Sequence, residues 1–375
     1  MIAQGLGESG HSAAVATLYE GDALARASRD GGTPTYHFGE LPLVCRAFRR
    51  LRPWAMPFSE YDPWWSARAS SWLHGVVEEF RPDILHSHDP HATLIAGRVA
   101  RRTGLPWVVT DHSGPGTWRD DRDLPNRIRL RRYGHVLTRA LAVMVVSHVA
   151  RDELLGHYPW LADRTQVVPN AADPPRDFTP QPAQRPTIAV VGRLHAHKNH
   201  VTLLRALDRV RRVVPEVCLL VAGDGRMEGA LRELARETGL EHNVEFMGQV
   251  LCPWEVYAKA WVAASLSRAE SFGISVLEAC AAGLPVLVSE HPAHREVTGG
   301  ERNAILVDPD DVEAAAEALT RLLTDADLRH RLGANAAQRA REYSQEAFMD
   351  RHLAAYGDAM RTASACTRTG EDASG

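Results

Sequence analysis

Two acidic residues, Glu270 and Glu278, stand eight positions apart in the segment Glu270-Ser271-Phe272-Gly273-Ile274-Ser275-Val276-Leu277-Glu278-Ala279. An apolar, strand-like run, Val262–Leu266, precedes this segment, and a helical pattern begins near Ile274 or Ser275. Glu270 therefore falls in the connecting loop and Glu278 about one turn into the helix. Gly273 bares backbone N–H groups at the helix start. The unit can offer two carboxylates to hydroxyl groups and several N–H donors to an anion. Two ordinary surface acids are the plain alternative. Against it, Glu278 is flanked by Leu277 and by Ala279 to Ala282, and a carboxylate in apolar surroundings needs a partner.

A cationic group lies upstream. Val191-Gly192-Arg193-Leu194-His195-Ala196-His197-Lys198-Asn199 joins a strand to a helix. Gly192 permits a tight turn, and Arg193 and Lys198 set two cations beside a helix start. A forked donor, a point charge and free N–H groups suit a pyrophosphate; a solvated basic loop is the alternative. Gly223-Asp224-Gly225 ends the next strand, where the backbone can approach a ligand closely and Asp224 can cap the helix near Arg226. Histidines form two groups, His86, His88 and His91 near Asp89, and His195, His197 and His200. Their spacing imitates metal ligation, but histidines lining a polar cleft are the simpler account, and no metal is expected. Gly5-Leu6-Gly7-Glu8-Ser9-Gly10 matches G-x-G-x-x-G, yet a strand follows it instead of preceding it. It reads as a helix end and a turn, not as a dinucleotide fingerprint.

These residues need a scaffold that ends strands beside helix starts. In the first half, strand-like runs at Ala14–Leu18, Asp83–His86, Trp107–Thr110, Val143–Val146 and Gln166–Val168 are interspersed with helical stretches Ser70–Phe80, Ala92–Thr103 and Asn126–Ala140. In the second half the strands are Thr187–Val191, Val217–Ala222, Val244–Phe246, Val262–Leu266, Pro285–Val288 and Ile305–Val307. Its helices run from an Asn199 cap through Arg212, then over Arg226–Thr238, Ser275–Ala282, Asp311–Leu323, Asp325–Glu342 and Gln345–Met360. Alternation of this kind predicts α/β architecture with covered parallel sheets. Pro174, Pro175, Pro180, Pro182 and Pro186 interrupt it, and proline at that density continues neither helix nor central strand. The expected order is a domain over 1–172, a Pro-rich linker over 173–186 and a second domain over 187–344. A C-terminal helix over 345–360 and a Thr-, Ser-, Gly- and Ala-rich tail over 361–375, expected to be disordered, complete it. Two αβα domains imply a ligand cleft facing the carboxyl ends of the sheets.

Composition narrows the class. The chain has 375 residues, 45% of them hydrophobic, enough for two large cores. Lys plus Arg number 43 against 47 Asp plus Glu, which disfavours a dedicated nucleic-acid binder. The five cysteines include no C-x-x-C pair and fit reduced thiols in a cytoplasmic protein. The longest apolar run, Ala140–Val146, is far short of the roughly 18–20 residues that span a bilayer. The N-terminus has neither the basic flank nor the apolar run of a signal peptide.

In this order and spacing the motifs carry a resemblance. The chain resembles the retaining, nucleotide-sugar-dependent glycosyltransferases of family 4, which have the GT-B fold of two Rossmann-like αβα domains facing across a cleft. The matching blocks are G-R-L-x-x-x-K-N at Gly192–Asn199, Gly223-Asp224-Gly225, Val244-x-Phe246-x-Gly248, the two glutamates of Glu270–Glu278, and Ala281-x-Gly283-x-Pro285-Val286. In the first half, Asp83-Ile84-Leu85-His86-Ser87-His88 is similar to the family's D-x-x-H-x-H strand, and Thr110-Asp111-His112 to the next strand end. Ser147 and Pro169-Asn170 fit further blocks.

The resemblance implies a role for each position. Arg193 and Lys198, after Gly192, would hold the donor diphosphate and stabilise the leaving nucleotide. Gly223 and Gly225 would border it. Glu270 would contact hydroxyls of the transferred sugar, and Ser271, Phe272, Gly273 and Ile274 would supply backbone donors. Glu278 would bind the ribose, and the base would sit near Met247 to Val250. His112 would orient and electrostatically support the donor sugar. No metal and no cofactor are implied beyond the donor, a nucleotide diphosphate sugar such as a UDP- or GDP-sugar. The acceptor would be a glycan, a glycolipid or a small glycoside. A sugar-nucleotide-binding homologue without turnover, and a GT-B epimerase or phosphorylase, are the competing readings.

Three departures from the pattern stand out: Trp261 in place of an acidic residue, His195 and His197 in a loop that usually carries Pro or Glu, and a first domain expected to start late, without the strand, glycine loop and helix that the family places before the strand at Ala14. The arginine-rich stretches Arg49–Arg52 and Arg127–Arg132 read first as solvated helix faces and second as peripheral contacts with the inner face of a membrane.

Overall fold

The computed structural model describes residues 1–18, 32–38, 63–112 and 124–372; Arg49–Arg52 lie outside them. The chain forms two compact units. One holds Met1–Val146, Ala150–Val168 and Met349–Gly375, and the other holds Ser147–Val149 and Pro169–Phe348.

The first unit begins with α1 (Ile2–Glu8), β1 (Val15–Thr17) and β2 (Thr35–His37). Then come α2 (Pro63–Phe80), β3 (Leu85–His88), α3 (Pro90–Thr103), β4 (Trp107–Asp111), α4 (Leu124–Leu137), β5 (Ala142–Val145), α5 (His148–His157) and β6 (Thr165–Val167). Strands β3 to β6 make a four-stranded sheet in chain order, and every pairing is parallel. β4 and β5 are buried along their whole lengths, as expected of parallel strands covered on both faces. β1 pairs with β2 alone among the described residues, in a separate parallel sheet. The Gly5–Gly10 segment is a helix end and a turn. Gly5 is buried in α1, where a Cβ would come within 2.5 Å of Met349 Sδ.

The second unit runs β7 (Thr187–Val191), α6 (His200–Val210), β8 (Cys218–Ala222), α7 (Glu228–Glu237), β9 (Val244–Gly248), α8 (Trp254–Lys259), β10 (Val262–Ser265), α9 (Ile274–Ala281), β11 (Val286–Ser289), α10 (Pro292–Thr298), β12 (Ile305–Val307), α11 (Val312–Thr324) and α12 (Ala326–Ala340). Its six strands lie in the order β9-β8-β7-β10-β11-β12, all parallel. Chain progression reverses between β7 and β10, the switch point of a doubly wound sheet, where ligands sit outside the carboxyl ends of the strands. α6 shows how the faces are covered: Leu203, Leu204, Leu207 and Val210 are buried against the sheet, while Arg205 and Arg209 face out. The proline-rich segment is pinned to this unit by bonds from Gln181 N to Ala258 O and from Ala183 N to Lys259 O. Trp261 is a packing residue: its Nε1 donates to Ala183 O at 2.8 Å and the Arg329 guanidinium lies over its ring.

Three local expectations are corrected. The last helix, α13, spans Gln345–Asp372, so the tail is helical where disorder was expected; residues 373–375 lie outside the described set. The tail continues a helix already formed from Gln345, and extending an existing helix avoids the costly nucleation step. Asn199 occupies the cap position of α6, but it adopts the left-handed conformation and its side chain accepts no backbone N–H. Instead its Nδ2 donates to Pro309 O at 2.6 Å and its Oδ1 accepts from Thr202 Oγ1 at 3.0 Å. Asp224 likewise lies outside the α7 cap, which falls at Met227.

Candidate active site

In the second unit three loops converge at the carboxyl ends of β7, β8 and β10. The first carries Gly192, Arg193 and Lys198, and the second carries Gly223 and Gly225. They lie back to back. Leu194 N donates to Asp224 O at 2.7 Å and Met227 N to Leu194 O at 2.9 Å. A Cβ on Gly223 would sit 2.0 Å from Gly192 O, and one on Gly225 would sit 2.5 Å from Leu194 O. Gly223 also has φ +144, so both space and conformation demand glycine. Arg193 is exposed at this edge.

The third loop, after β10, is tied to the first. Arg268 N donates to His197 O at 2.8 Å, and Lys198 Nζ lies 2.5 Å from Glu270 Oε1. The sequence placed these two residues in separate roles; the structure makes them an ion pair with side chains 19% and 11% exposed. Burial pushes the Glu270 carboxyl up, but Lys198, His294 and a bond from Ser267 together bring the group below its ordinary range. Ser271 O accepts the Ser147 hydroxyl at 2.5 Å. Phe272 is buried and meets Tyr343 edge to face. Gly273 caps α9 in the left-handed conformation, and Ile274, the first helical residue, is exposed. Val250, after β9, is half-buried, and Gly248 O accepts from Gly223 N at 2.7 Å.

Glu278 has the partner its surroundings require. Tyr257 of α8 reaches Glu278 Oε2 at 3.2 Å and Ser275 O at 2.9 Å. With one hydroxyl hydrogen for two acceptors, compensation is incomplete. Burial raises the Glu278 carboxyl to about 7, against a downward pull from Tyr257. Tyr257 was not singled out in the sequence, because it lies on a six-residue helix with no chemical motif around it.

His294 was also missed. It is fully buried under the turn, and a Cβ on Gly273 would come 3.1 Å from its Cδ2. Ser289 Oγ donates to Ser267 O at 2.6 Å, which commits its single proton. His294 Nδ1, at 2.9 Å from that Oγ and 3.3 Å from Ser289 O, must therefore carry the hydrogen. Nε2 is left as an acceptor, with no hydrogen-bond partner among the described residues. Burial lowers this imidazole to about 4, so it is neutral. Nothing in Pro292-Ala293-His294-Arg295 signals such a role.

In the first unit, the ends of β3 and β4 gather His86, His88 and His112. His88 Nδ1 lies 2.9 Å from His112 Nε2, with the rings stacked. His86 is held at both nitrogens, by Tyr356 Oη and Thr110 Oγ1, each at 2.7 Å. Burial lowers all three imidazoles, His88 to about 3. Among the described residues no group of three or more His, Cys, Asp or Glu is placed to hold a metal ion. No described helix is long and apolar enough to cross a membrane. Arg127 and Arg131, with Ile128, lie on an exposed face of α4.

Comparison with known proteins gives the following matches. The family described as "Glycosyltransferase Family 4" matches residues 1–176, and "Glycosyl transferases group 1" matches residues 174–339. The chain is 28% identical over 311 residues to D-inositol 3-phosphate glycosyltransferase of Corynebacterium glutamicum, covering 76% of this chain and 74% of that one. It is 26% identical over 358 residues to an uncharacterized glycosyltransferase of Methanocaldococcus jannaschii, covering 89% and 86%. Among solved structures, Anabaena HepE in complex with UDP-glucose aligns with TM-score 0.77 at 19% identity, over 95% of this chain and 93% of that one.

Proposed function

This chain belongs to the family 4 glycosyltransferases with the GT-B fold, and from that premise we propose that it moves a glycosyl unit from a nucleotide diphosphate sugar to an acceptor hydroxyl with retention at the anomeric carbon. The observation that carries the proposal is the meeting of Arg193, the Lys198–Glu270 pair and the start of α9 at the β7/β10 switch point. That group of cations, carboxylate and N–H donors suits a sugar bonded to a diphosphate.

Each residue then has a task. As the sugar–phosphate bond breaks, charge grows on the diphosphate, and Arg193, Lys198 and the N–H groups at the start of α9 stabilise it. Glu270 accepts from hydroxyls of the transferred sugar, and Lys198 shifts part of its contact to phosphate. Glu278 binds ribose hydroxyls, with the base against the backbone of Met247 to Val250. His112 orients and supports the transferred sugar. In a same-face step, the bond from the anomeric carbon to phosphate oxygen breaks and the bond to the acceptor oxygen forms. The acceptor proton passes to the departing phosphate. The step as proposed uses no metal and no cofactor. The acceptor class is a glycan, a glycolipid or a small glycoside. A cytoplasmic site of action, with Arg127–Arg132 against an anionic membrane face, belongs to the same proposal.

A thermal-shift screen of UDP-, GDP- and ADP-sugars tests the donor class without an acceptor. Stabilisation by one group of nucleotide sugars, abolished in Arg193→Ala, is expected. No shift with any of them would sink the assignment of Arg193 and Lys198. Product analysis with and without an acceptor panel separates transfer from epimerisation, from phosphorolysis and from binding without turnover.

A further inference from the structure

Beside His112 the first unit places two further histidines, His86 and His88, to which the transfer chemistry above gives no task. β3 and β4 run side by side and end together, with His88 paired in register with Thr110, two residues before His112. Three neighbours of His112 on β3 and β4 are held by bonds of their own. Asp111 is buried, and its Oδ2 accepts the Tyr133 hydroxyl at 3.0 Å. Thr110 is buried and bonded to His86. His86 is anchored on its other side by Tyr356 of α13 and its ring lies tilted against His88, with centroids 4.1 Å apart. Among the described residues, the one hydrogen bond of the His112 ring is Nε2 to His88 Nδ1, at 2.9 Å, while Asp89 and Asp111 act on the ring through charge.

We propose that His88 is the positioning residue of His112: its Nδ1 bond fixes the ring plane and the tautomer of His112, and the Tyr356–His86–Thr110 bracket holds His88 in place to do so. The proposal rests on the reading of His112 as a group that supports the transferred sugar. It adds the reason that ring is presented in one orientation and one protonation pattern. Two neutral imidazoles share one hydrogen across such a contact, so fixing one tautomer fixes the other. The placement at the carboxyl ends of parallel strands is where α/β sheets present functional groups, and a pair kept only for packing has no need of a matched donor and acceptor there.

The test uses the full chain labelled with ¹⁵N-histidine, and reads the ring nitrogens of His112 by long-range ¹H–¹⁵N correlation. In the unsubstituted protein His112 shows one tautomer. His88→Phe keeps a ring for stacking and removes the bond; the expected result is tautomer averaging at His112. His88→Asn returns a polar atom near the position of Nδ1 and restores a single tautomer. His88→Asp, which only accepts, restores it if His112 Nε2 carries the hydrogen and fails if it does not. In turnover, His88→Phe lowers kcat by about 10-fold or more, by analogy with loss of the partner that orients a metal-bound histidine, with donor KM nearly unchanged and partial rescue in His88→Asn. An unchanged His112 spectrum in His88→Phe overturns the proposal, and if that variant does not fold, a His88→Asn spectrum showing averaged tautomers does the same. Because the spectra need no turnover, failure of the transfer reading (no product, with the tautomer still governed by His88) is distinguishable from failure of this one.

Discussion

Lys198 Nζ and Glu270 Oε1 are 2.5 Å apart in a mostly enclosed position, so each charge is compensated by the other. Removing one partner leaves an uncompensated charge, which costs more than the pair itself contributes. Lys198→Met is expected to destabilise the protein by about 3 kcal/mol, and Lys198→Met/Glu270→Leu by much less. Urea unfolding of the single and double variants checks this; a double variant no more stable than the single one would refute it. Both variants lose transfer, the single by roughly 100-fold or more in kcat.

Glu278 gives a dependence on pH with a definite sign. Its folded value, about 7, stands above the ordinary carboxylate value of 4.5. Between these values the unfolded chain releases a proton that the folded chain keeps, so stability falls as pH rises from 4.5 to 7 and then levels. Glu278→Gln, which removes the ionisation at nearly constant shape, is expected to raise Tm at pH 8 and change it little at pH 4.5. The same variant should weaken donor binding by about tenfold or more, as loss of a charged hydrogen-bond partner does. Equal effects of the substitution on Tm at both pH values would contradict the assignment.

Gly223→Ala tests the contact between the first two loops. The added methyl meets a backbone carbonyl, Gly192 O, which has no rotamer to yield. Overpacking of this kind costs typically 1–3 kcal/mol, and the unfavourable φ adds to it. Gly192→Ala meets nothing within 4 Å and should cost less, through its φ alone. Thermal unfolding of the two variants gives the order, and the reverse order would show that the back-to-back contact is not the constraint.

Acid should unfold the protein partly through its buried imidazoles. Burial lowers His88 to about 3 and His294 to about 4. Both stay neutral in the fold while the unfolded chain protonates near 6.5. Their contribution is complete above pH 6.5 and is lost as pH falls through 6.5 toward those values. His88→Asn and His294→Asn should each flatten the decline in Tm between pH 6.5 and 4 relative to the parent chain. Parallel Tm curves for variant and parent would count against neutral burial.

The sequence was most informative where one physical demand dominates. Covered parallel strands must be nearly continuous apolar runs, so Thr187–Val191 and Val262–Ser265 were found almost to the residue. β2 escaped because Thr35-Tyr36-His37 is short and polar. α8 and α10, of six and seven residues, are too brief to show a helical period. At the site, charged and glycine positions were legible because charge and backbone freedom are written in residue type. Their partners were not. Tyr257 and His294 act through burial and proximity, which emerge only when β10, α8 and α10 pack together, and Asn199 took a conformation that the capping preference of its side chain does not predict.

The interlocked glycine turns after β7 and β8 have an evolutionary corollary. With Gly192 O against Gly223 and Leu194 bonded on both sides of Gly225, neither turn's backbone can change independently of the other. Domain shuffling or loop grafting among relatives must carry residues 192–227 as a single cassette, helix α6 included. A chimaera whose breakpoint falls inside that span pairs two backbones that never co-adapted.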